Sequence, residues 1–312
     1  MNAPARPDLI AIGEPMVEFN QTRPGEPDYL FGFGGDTSNC AIAAARQGAR
    51  VGYLTALGQD PFGDALVELW SREGVDASRV HRHAAAPTGV YFVTHGSAGH
   101  QFTYLRAGSA ASRYAASELP RDYIADAKVL HLSGISLAIS AVACDACLEA
   151  IAVARAAGVQ VAFDTNLRLR LWPLARARLT IDAVAAMADI VLPSLDDSRQ
   201  LLAIEAPERI VDHYLGHGAR VVALKMGADG AIVATPERRQ RIETHRVEAV
   251  DATGAGDTFD GAFLAEYIRT GDPFAAGRRA NVAAALATTG FGAVAPMPTR
   301  EAVDAALGGS DA

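Results

Sequence analysis

Cysteine is scarce in this chain: three in 312 residues, an odd count that fits a reducing cytoplasm better than a disulfide framework. Cys144 and Cys147 form a C-x-x-C pair inside an alanine-rich helical stretch, with no second pair or nearby histidine to complete a zinc site. They read as two small side chains packed on one helix face. No apolar run is long enough to span a bilayer. The polar, proline-rich start Met1–Asp8 has no signal-peptide core, and residues 1–7 are read as a disordered lead-in. Positive charge is also in deficit. A net charge of −8 argues against a general nucleic-acid or acidic-membrane surface, so any bound polyanion must meet its few cations locally. G-x-x-x-x-G-K-[ST] occurs nowhere, which excludes a P-loop enzyme.

What is present is a hydrophobic content of 50%, enough for one large α/β domain or a domain with an appendage. Short apolar, β-branched runs alternate with helical patterns that stop at glycine. Strands are expected at Leu9–Val17, Val51–Leu57, Lys128–Leu132, Val159–Phe163, Ile190–Leu192, Val221–Leu224 and Ala231–Ala234. Helices are expected at Thr37–Gln47, Phe62–Glu73, Ala141–Ala157, Arg176–Ala188, Asp257–Thr270 and Pro273–Thr289. The alternation indicates a mostly parallel sheet covered on both faces, with its active site beyond the carboxyl ends of the strands. Two segments break the pattern. Glu18–Phe33 reads as turn-rich, and Gly89–Thr94 with Gln101–Arg106 as two strands around a polar turn. No internal repeat or interdomain linker appears.

The run Asp251-Ala-Thr-Gly-Ala-Gly-Asp-Thr-Phe-Asp-Gly-Ala-Phe263 carries most of the chemistry. Gly254 and Gly256 allow a sharp backbone turn at the start of a helix, where the amides around Ala255 and the helix dipole favour an anion. Charge developing in phosphoryl transfer is such an anion, and Asp257 stands beside it, placed to take a proton from an incoming hydroxyl. An ordinary capped helix, with Thr253 or Asp257 as the cap, is the plain alternative. Gly34-Gly35-Asp36-Thr37-Ser38-Asn39 opens an earlier helix. Its amides and the Asp36 and Asn39 side chains suit sugar hydroxyls, and Asp36 or Thr37 would cap the helix.

The Asp251–Phe263 run resembles the C-terminal signature of the ribokinase-like, or PfkB, family of carbohydrate kinases, and Gly34–Ala41 resembles its N-terminal signature. The likeness spans roughly Asp8 to the C-terminus. It implies a ribokinase-like three-layer αβα fold, one domain whose small β-sheet lid is formed near residues 18–33 and 88–107. Within the family, Tyr104-Leu-Arg-Ala-Gly-Ser-Ala110 and Asp164-Thr-Asn-Leu-Arg-Leu-Arg-Leu-Trp172 are similar to segments of 2-keto-3-deoxygluconate kinases. An arginine fork matches the carboxylate of such a sugar acid. The resemblance therefore places Gly34, Gly35, Asp36, Asn39, Tyr91, Tyr104, Arg106 and Arg168 on the substrate, with Arg170 as a weaker candidate. It places Asn166, Ser194, Lys225, Gly227, Gly230, Gly254, Gly256 and Asn281 on ATP, and the Gly290–Gly292 turn beside the adenine. Ser194-Leu-Asp-Asp197 stands where many relatives carry N-x-x-E, so the holding of Mg²⁺ is unassigned. A monovalent cation near Asp251 and Thr253 is left open, as is a homo-oligomer formed through the lid.

The activity implied is phosphorylation of 2-keto-3-deoxygluconate by MgATP, with Asp257, Gly254, Ala255 and Gly256 as catalytic residues. A kinase for fructose, ribose or the galactonate epimer is the alternative, and a non-catalytic sugar-acid-binding protein is another.

Overall fold

Successive side chains of a strand point to opposite faces, and in the central strands of this chain both sets are apolar. In Leu9–Ile12, Leu9 and Ala11 enter one hydrophobic cluster while Ile10 and Ile12 enter another. Val221–Lys225 repeats the division, with Val221 and Ala223 on one side and Val222 and Leu224 on the other. A sheet buried on both faces requires a helical layer on each. The computed structural model, which describes residues 6–96 and 99–308, has both layers. Helices Asp36–Arg46, Pro61–Glu73, Ala255–Thr270 and Pro273–Ala287 supply the first cluster through Ile42, Trp70, Phe263 and Ala283. Helices Ala141–Ala156, Leu174–Ala185 and Pro207–Gly216 supply the second through Ile151, Ile181 and Ile210.

The main sheet has nine strands, in the order Arg239–Ile242, Ala231–Ala234, Val221–Lys225, Ile190–Val191, Gln160–Asp164, Val129–Ser133, Leu9–Ile12, Val51–Leu54, Val75–Asp76. All neighbours pair in parallel except at the Ala231–Ala234 and Arg239–Ile242 edge. This is the three-layer αβα architecture with a mostly parallel sheet.

Three local expectations change. Leu9–Val17 is two strands: it breaks at Gly13-Glu14-Pro15, and Met16–Gln21 enters a separate sheet. The chain passes so close to the neighbouring helix that a Cβ on Gly13 would lie 2.3 Å from Thr37 Oγ1, and Pro15 has no amide to continue a ladder. The segment read as turn-rich, Glu18–Phe33, is mostly strand. Met16–Gln21 pairs antiparallel with Tyr29–Gly34, from Met16 opposite Gly34 to Gln21 opposite Tyr29. Val90–Gly96 and Gly99–Leu105 complete this four-stranded small sheet. Val51–Leu57 also divides, and Ala56–Gly58 pairs with His81–His83. Of the N-terminal lead-in, residues 1–5 lie outside the described residues. Arg6 reaches Asp126 at 3.4 Å, and Pro7 is buried.

Helices Asp36–Arg46 and Ala255–Thr270 run against each other, and their contact point is Gly261. A Cβ there would meet the Cys40 carbonyl oxygen at 2.4 Å and the Cβ of Ala43 at 2.6 Å, both parts of the facing helix rather than of a flexible side chain. Gly261→Ala is therefore expected to cost about 1–3 kcal/mol through forced separation of the two helices. An unchanged urea midpoint would contradict the close approach.

Candidate active site

Helix Ala255–Thr270 starts at Gly254, whose φ of 76° lies in the left-handed region and whose Cβ would press on the Ala293 carbonyl at 2.9 Å. Neither Thr253 nor Asp257 caps this helix. Thr253 instead gives its amide and hydroxyl to Asp251 Oδ1, at 2.9 and 2.6 Å, while Asp251 Oδ2 accepts from the Gly292 amide at 3.0 Å. Gly256 is an ordinary helical residue, and the space where its Cβ would stand faces Lys225 Nζ at 3.8 Å. The Ala255 amide donates to the Ala252 carbonyl at 3.2 Å. The first-turn amides of Gly256 and Asp257 have no acceptor within the helix.

Helix Asp36–Arg46 brings a second N-terminus to the same place. Its cap is Gly35, not the expected Asp36 or Thr37. The Thr37 hydroxyl lies 2.8 Å from the Tyr53 hydroxyl, and Asp36 Oδ2 accepts from Asn166 Nδ2 at 3.1 Å. Asn39 Nδ2 donates to Asp257 Oδ2 at 2.8 Å, joining two residues 218 positions apart. Burial pushes the Asp257 carboxyl up to about 7, with the charge of Asp36 adding to it and the Asn39 hydrogen bond opposing it. Asp36 is raised in the same direction, by burial first and then by Asp164, while the Ser133 hydrogen bond works against the rise. Asp36 Oδ1 and Asn39 Oδ1 are buried without hydrogen-bond partners. Both are acceptors, the requirement for receiving a hydroxyl proton.

Lys225 sits behind the Gly256 turn. Its Nζ lies 2.8 Å from Asp260 Oδ2, 2.9 Å from Asp260 Oδ1 and 3.2 Å from Asp164 Oδ2. Its side chain is 12% exposed and that of Asp260 1%. Burial alone would lower the ammonium's pKa, but Asp164 and Asp260 outweigh it and raise it above the usual lysine range. The sequence reading singled out Lys225 and missed Asp260. The available signal was spacing, since Asp260 follows Asp257 by three residues and so shares its helix face. Asp164 Oδ1 also accepts from the Asn166 amide at 3.2 Å, an Asx-turn at the strand end, and Asn166 itself has a φ of 25°.

On the small-sheet side, Arg106 forms a buried ion pair with Glu14 at the break between the two sheets, and Ser109 Oγ donates to Glu14 Oε1 at 2.5 Å. Burial raises the Glu14 carboxyl, and Arg106 opposes the rise. Arg106 Nε is buried without a hydrogen-bond partner, and the guanidinium lies 5.8 Å from the Tyr104 ring centre. Tyr91 gives its hydroxyl to Glu18 Oε2 at 2.5 Å and stacks on Tyr104. Gly34 lies against Tyr91, where a Cβ would come within 2.3 Å of the phenol oxygen. Glu14 was missed in the sequence because the strand was expected to run on to Val17, which placed Glu14 inside it rather than at a strand end.

The remaining candidates separate. Arg168 is half-exposed, donates to its neighbour's carbonyl at 2.8 Å and stands 3.9 Å from Asp197. Arg170 donates to the Phe102 carbonyl on the small sheet at 3.0 Å. Ser194 caps helix Leu195–Leu202, accepting from the Asp197 amide at 3.3 Å. Asp197 Oδ2 accepts from the Leu167 amide at 3.1 Å, and burial raises its carboxyl against the pull of Arg168. Gly227 and Gly230 both have positive φ in the turn after Val221–Lys225. Asn281 is buried and donates to the Glu243 carbonyl at 2.5 Å. Phe291, between Gly290 and Gly292, is 79% exposed.

Residues 6–300 match the family model described as pfkB family carbohydrate kinase. The 2-dehydro-3-deoxygluconokinase of Thermoproteus tenax is 35% identical over 280 residues, covering 87% of this chain and 85% of the relative. The enzyme of that name from Bacillus subtilis (strain 168) is 35% identical over 302 residues, covering 94% of this chain and 93% of the relative. The crystal structure of fructokinase with bound ATP from Xylella fastidiosa superposes with a TM-score of 0.90 at 26% identity, over 98% of this chain and 99% of that one. With a family match across nearly its whole length and relatives of this similarity, the chain belongs to the PfkB family of carbohydrate kinases.

Proposed function

We propose that this kinase transfers the γ-phosphoryl group of MgATP to the terminal hydroxyl of 2-keto-3-deoxygluconate, the compound also called 2-dehydro-3-deoxygluconate. The products are the 6-phospho sugar acid and ADP. The observation that carries the sugar-acid reading is Arg106, a buried guanidinium whose Nε has no hydrogen-bond partner although Glu14 already balances its charge. A sugar hydroxyl can also accept from that donor, but a carboxylate does so in a charge-assisted bond roughly twice as strong and matched to the planar fork. The names of the two relatives support the same substrate. Asp36 Oδ1 and Asn39 Oδ1 would receive substrate hydroxyls, and Tyr104 would flank the acid.

Asp257 takes the proton of the attacking hydroxyl, and the first-turn amides beside Gly254 hold the transferring group. Such catalysis is mostly positioning and charge stabilisation. The donor set fits a phosphate-bound divalent cation: Asp197, whose carboxyl burial raises, and Asn166 are the residues for its water shell. Mg²⁺ supplies neutralisation of phosphate charge. Asp251 and Thr253 remain the candidates for a monovalent cation. The small sheet acts as a lid on one kinase domain spanning the chain, and its closure excludes water as a competing acceptor. Its exposed Leu30, Phe31 and Leu105 are the surface for pairing two copies, a reading that a monomer by sedimentation equilibrium would refute.

The test is ADP release with 2-keto-3-deoxygluconate, its galactonate epimer, fructose and ribose. Preference for the keto acids supports the assignment, and preference for fructose or ribose overturns it. Arg106→Lys keeps a cation on Glu14 but removes the planar fork. It should lower kcat/KM for the keto acid about 10- to 100-fold, the worth of a charge-assisted hydrogen bond, and leave fructose nearly unaffected. Equal losses for both substrates would remove Arg106 from carboxylate recognition.

A further inference from the structure

Two histidines one helical turn apart face a single carboxylate on the outer surface of the second helical layer. His213 lies in helix Pro207–Gly216, His217 directly follows it, and Asp182 comes from helix Leu174–Ala185. His213 Nε2 lies 2.8 Å from Asp182 Oδ1, and His217 Nε2 lies 3.1 Å from Asp182 Oδ2. One donor atom from each residue fits within a span of 4.8 Å.

The second nitrogen of His217 sharpens the picture. Its Nδ1 lies 3.0 Å from the His213 carbonyl oxygen, which can only accept, so Nδ1 carries a proton. In the neutral ring Nε2 is then a bare lone pair, aimed at a carboxylate oxygen. That arrangement holds only if a proton or a cation lies between them. Backbone anchoring of the remote nitrogen is the usual outer support of a histidine that binds metal. Each imidazole faces its own carboxylate oxygen, at 2.8 and 3.1 Å, so a single ion placed among the three side chains is within reach of both rings and the carboxylate.

We propose that Asp182, His213 and His217 form a binding site for a borderline divalent transition ion, with Zn²⁺ the best fit, completed by water. Two imidazoles and one carboxylate suit such an ion, and the nitrogen donors disfavour Mg²⁺, which demands oxygen. A surface cavity of about 350 Å³, lined in part by Asp182, His213, Arg178 and Tyr214, gives access for the ion and its water. Arg178 donates to the Gln200 carbonyl at 3.0 Å, and the ion-pair partners of Asp182 among the described residues are the two histidines. The three ligands lie toward the C-terminal ends of their helices. Those helices return from the carboxyl edge of the parallel sheet, so the site sits at the end of the molecule remote from Asp257. It would tie two neighbouring helices together without touching the chemistry.

The test is calorimetric titration of metal-free protein with Zn²⁺, and with Mg²⁺ as the control. One equivalent of Zn²⁺ is expected, with micromolar or tighter affinity, a raised Tm, and no comparable heat from Mg²⁺. Co²⁺ bound there should give the intense visible bands of a four-coordinate ion. Asp182→Asn and His217→Ala should each weaken Zn²⁺ on the order of 100-fold while ADP release with MgATP is unchanged. Absence of saturable Zn²⁺ binding would overturn the site and leave a protonated His–Asp–His hydrogen-bonded cluster. Wild-type affinity in both variants would overturn it equally, by placing the ion elsewhere.

Discussion

Asp257→Asn is expected to lower kcat by ~10²–10⁴-fold while KM changes little, because the substitution removes a proton acceptor and little else. The amide is nearly isosteric, and its oxygen can still accept from Asn39 Nδ2, so the bond that joins the two helix starts survives. Loss of turnover would then report chemistry rather than collapse of the site. A second signature separates a base from a binding group. The carboxyl is raised to about 7, so the free enzyme loses the required carboxylate as pH falls through that value. Wild-type kcat/KM should decline toward tenfold per pH unit below about 7, and the Asn variant's residual rate should lack that limb. Retained kcat in the variant, or an unchanged acid limb, would remove Asp257 from the role of base.

Lys225→Met should be the most damaging single change to stability, at about 3–5 kcal/mol. Methionine fills similar volume but leaves Asp260, and with it Asp164, facing each other in a buried space with no ammonium between them. The sign of the pH effect is fixed by that geometry. Burial already pushes the Asp260 carboxyl up, with Lys225 opposing; removing Lys225 leaves the rise unopposed. A carboxyl whose folded pKa lies above its unfolded value destabilises the fold as pH rises past the unfolded value of about 3.9. The deficit measured by urea unfolding should therefore be largest near neutrality and shrink as pH falls toward 4. Adding Asp260→Asn to Lys225→Met should recover part of the loss. A deficit below about 1 kcal/mol at neutral pH would show that the triad is not held by its ammonium.

The layered architecture was legible because the central strands are apolar on both faces, a pattern that admits few arrangements. Leu9–Ile12 and Val221–Leu224 announce a doubly covered sheet by themselves. The small sheet was half legible. Val90–Gly96 and Gly99–Leu105 are local hairpin partners, whereas Tyr29–Gly34 exposes its first three residues and gains its order by pairing with Met16–Gln21. The extent of its pairing is set by tertiary context, which periodicity does not encode. At the site, glycine pairs and acid positions marked where two helices begin. The identity of their partners was not readable. Asn39 meets Asp257, Arg106 meets Glu14, and Lys225 meets Asp260 across separations that only the folded sheet closes. The helix caps were misjudged for a related reason: Thr37, Asp36 and Thr253 can all cap, but each has a better acceptor or donor nearby.

The chain contains two lysines, Lys128 and Lys225. Lys128 is 59% exposed, while Lys225 is locked between carboxylates behind the Gly256 turn. An acylating reagent at neutral pH thus meets one lysine side chain on the intact molecule and two once the turn opens. Besides any adduct on the α-amino group, one further adduct against two becomes a count of molecules in which the turn over Lys225 is still assembled.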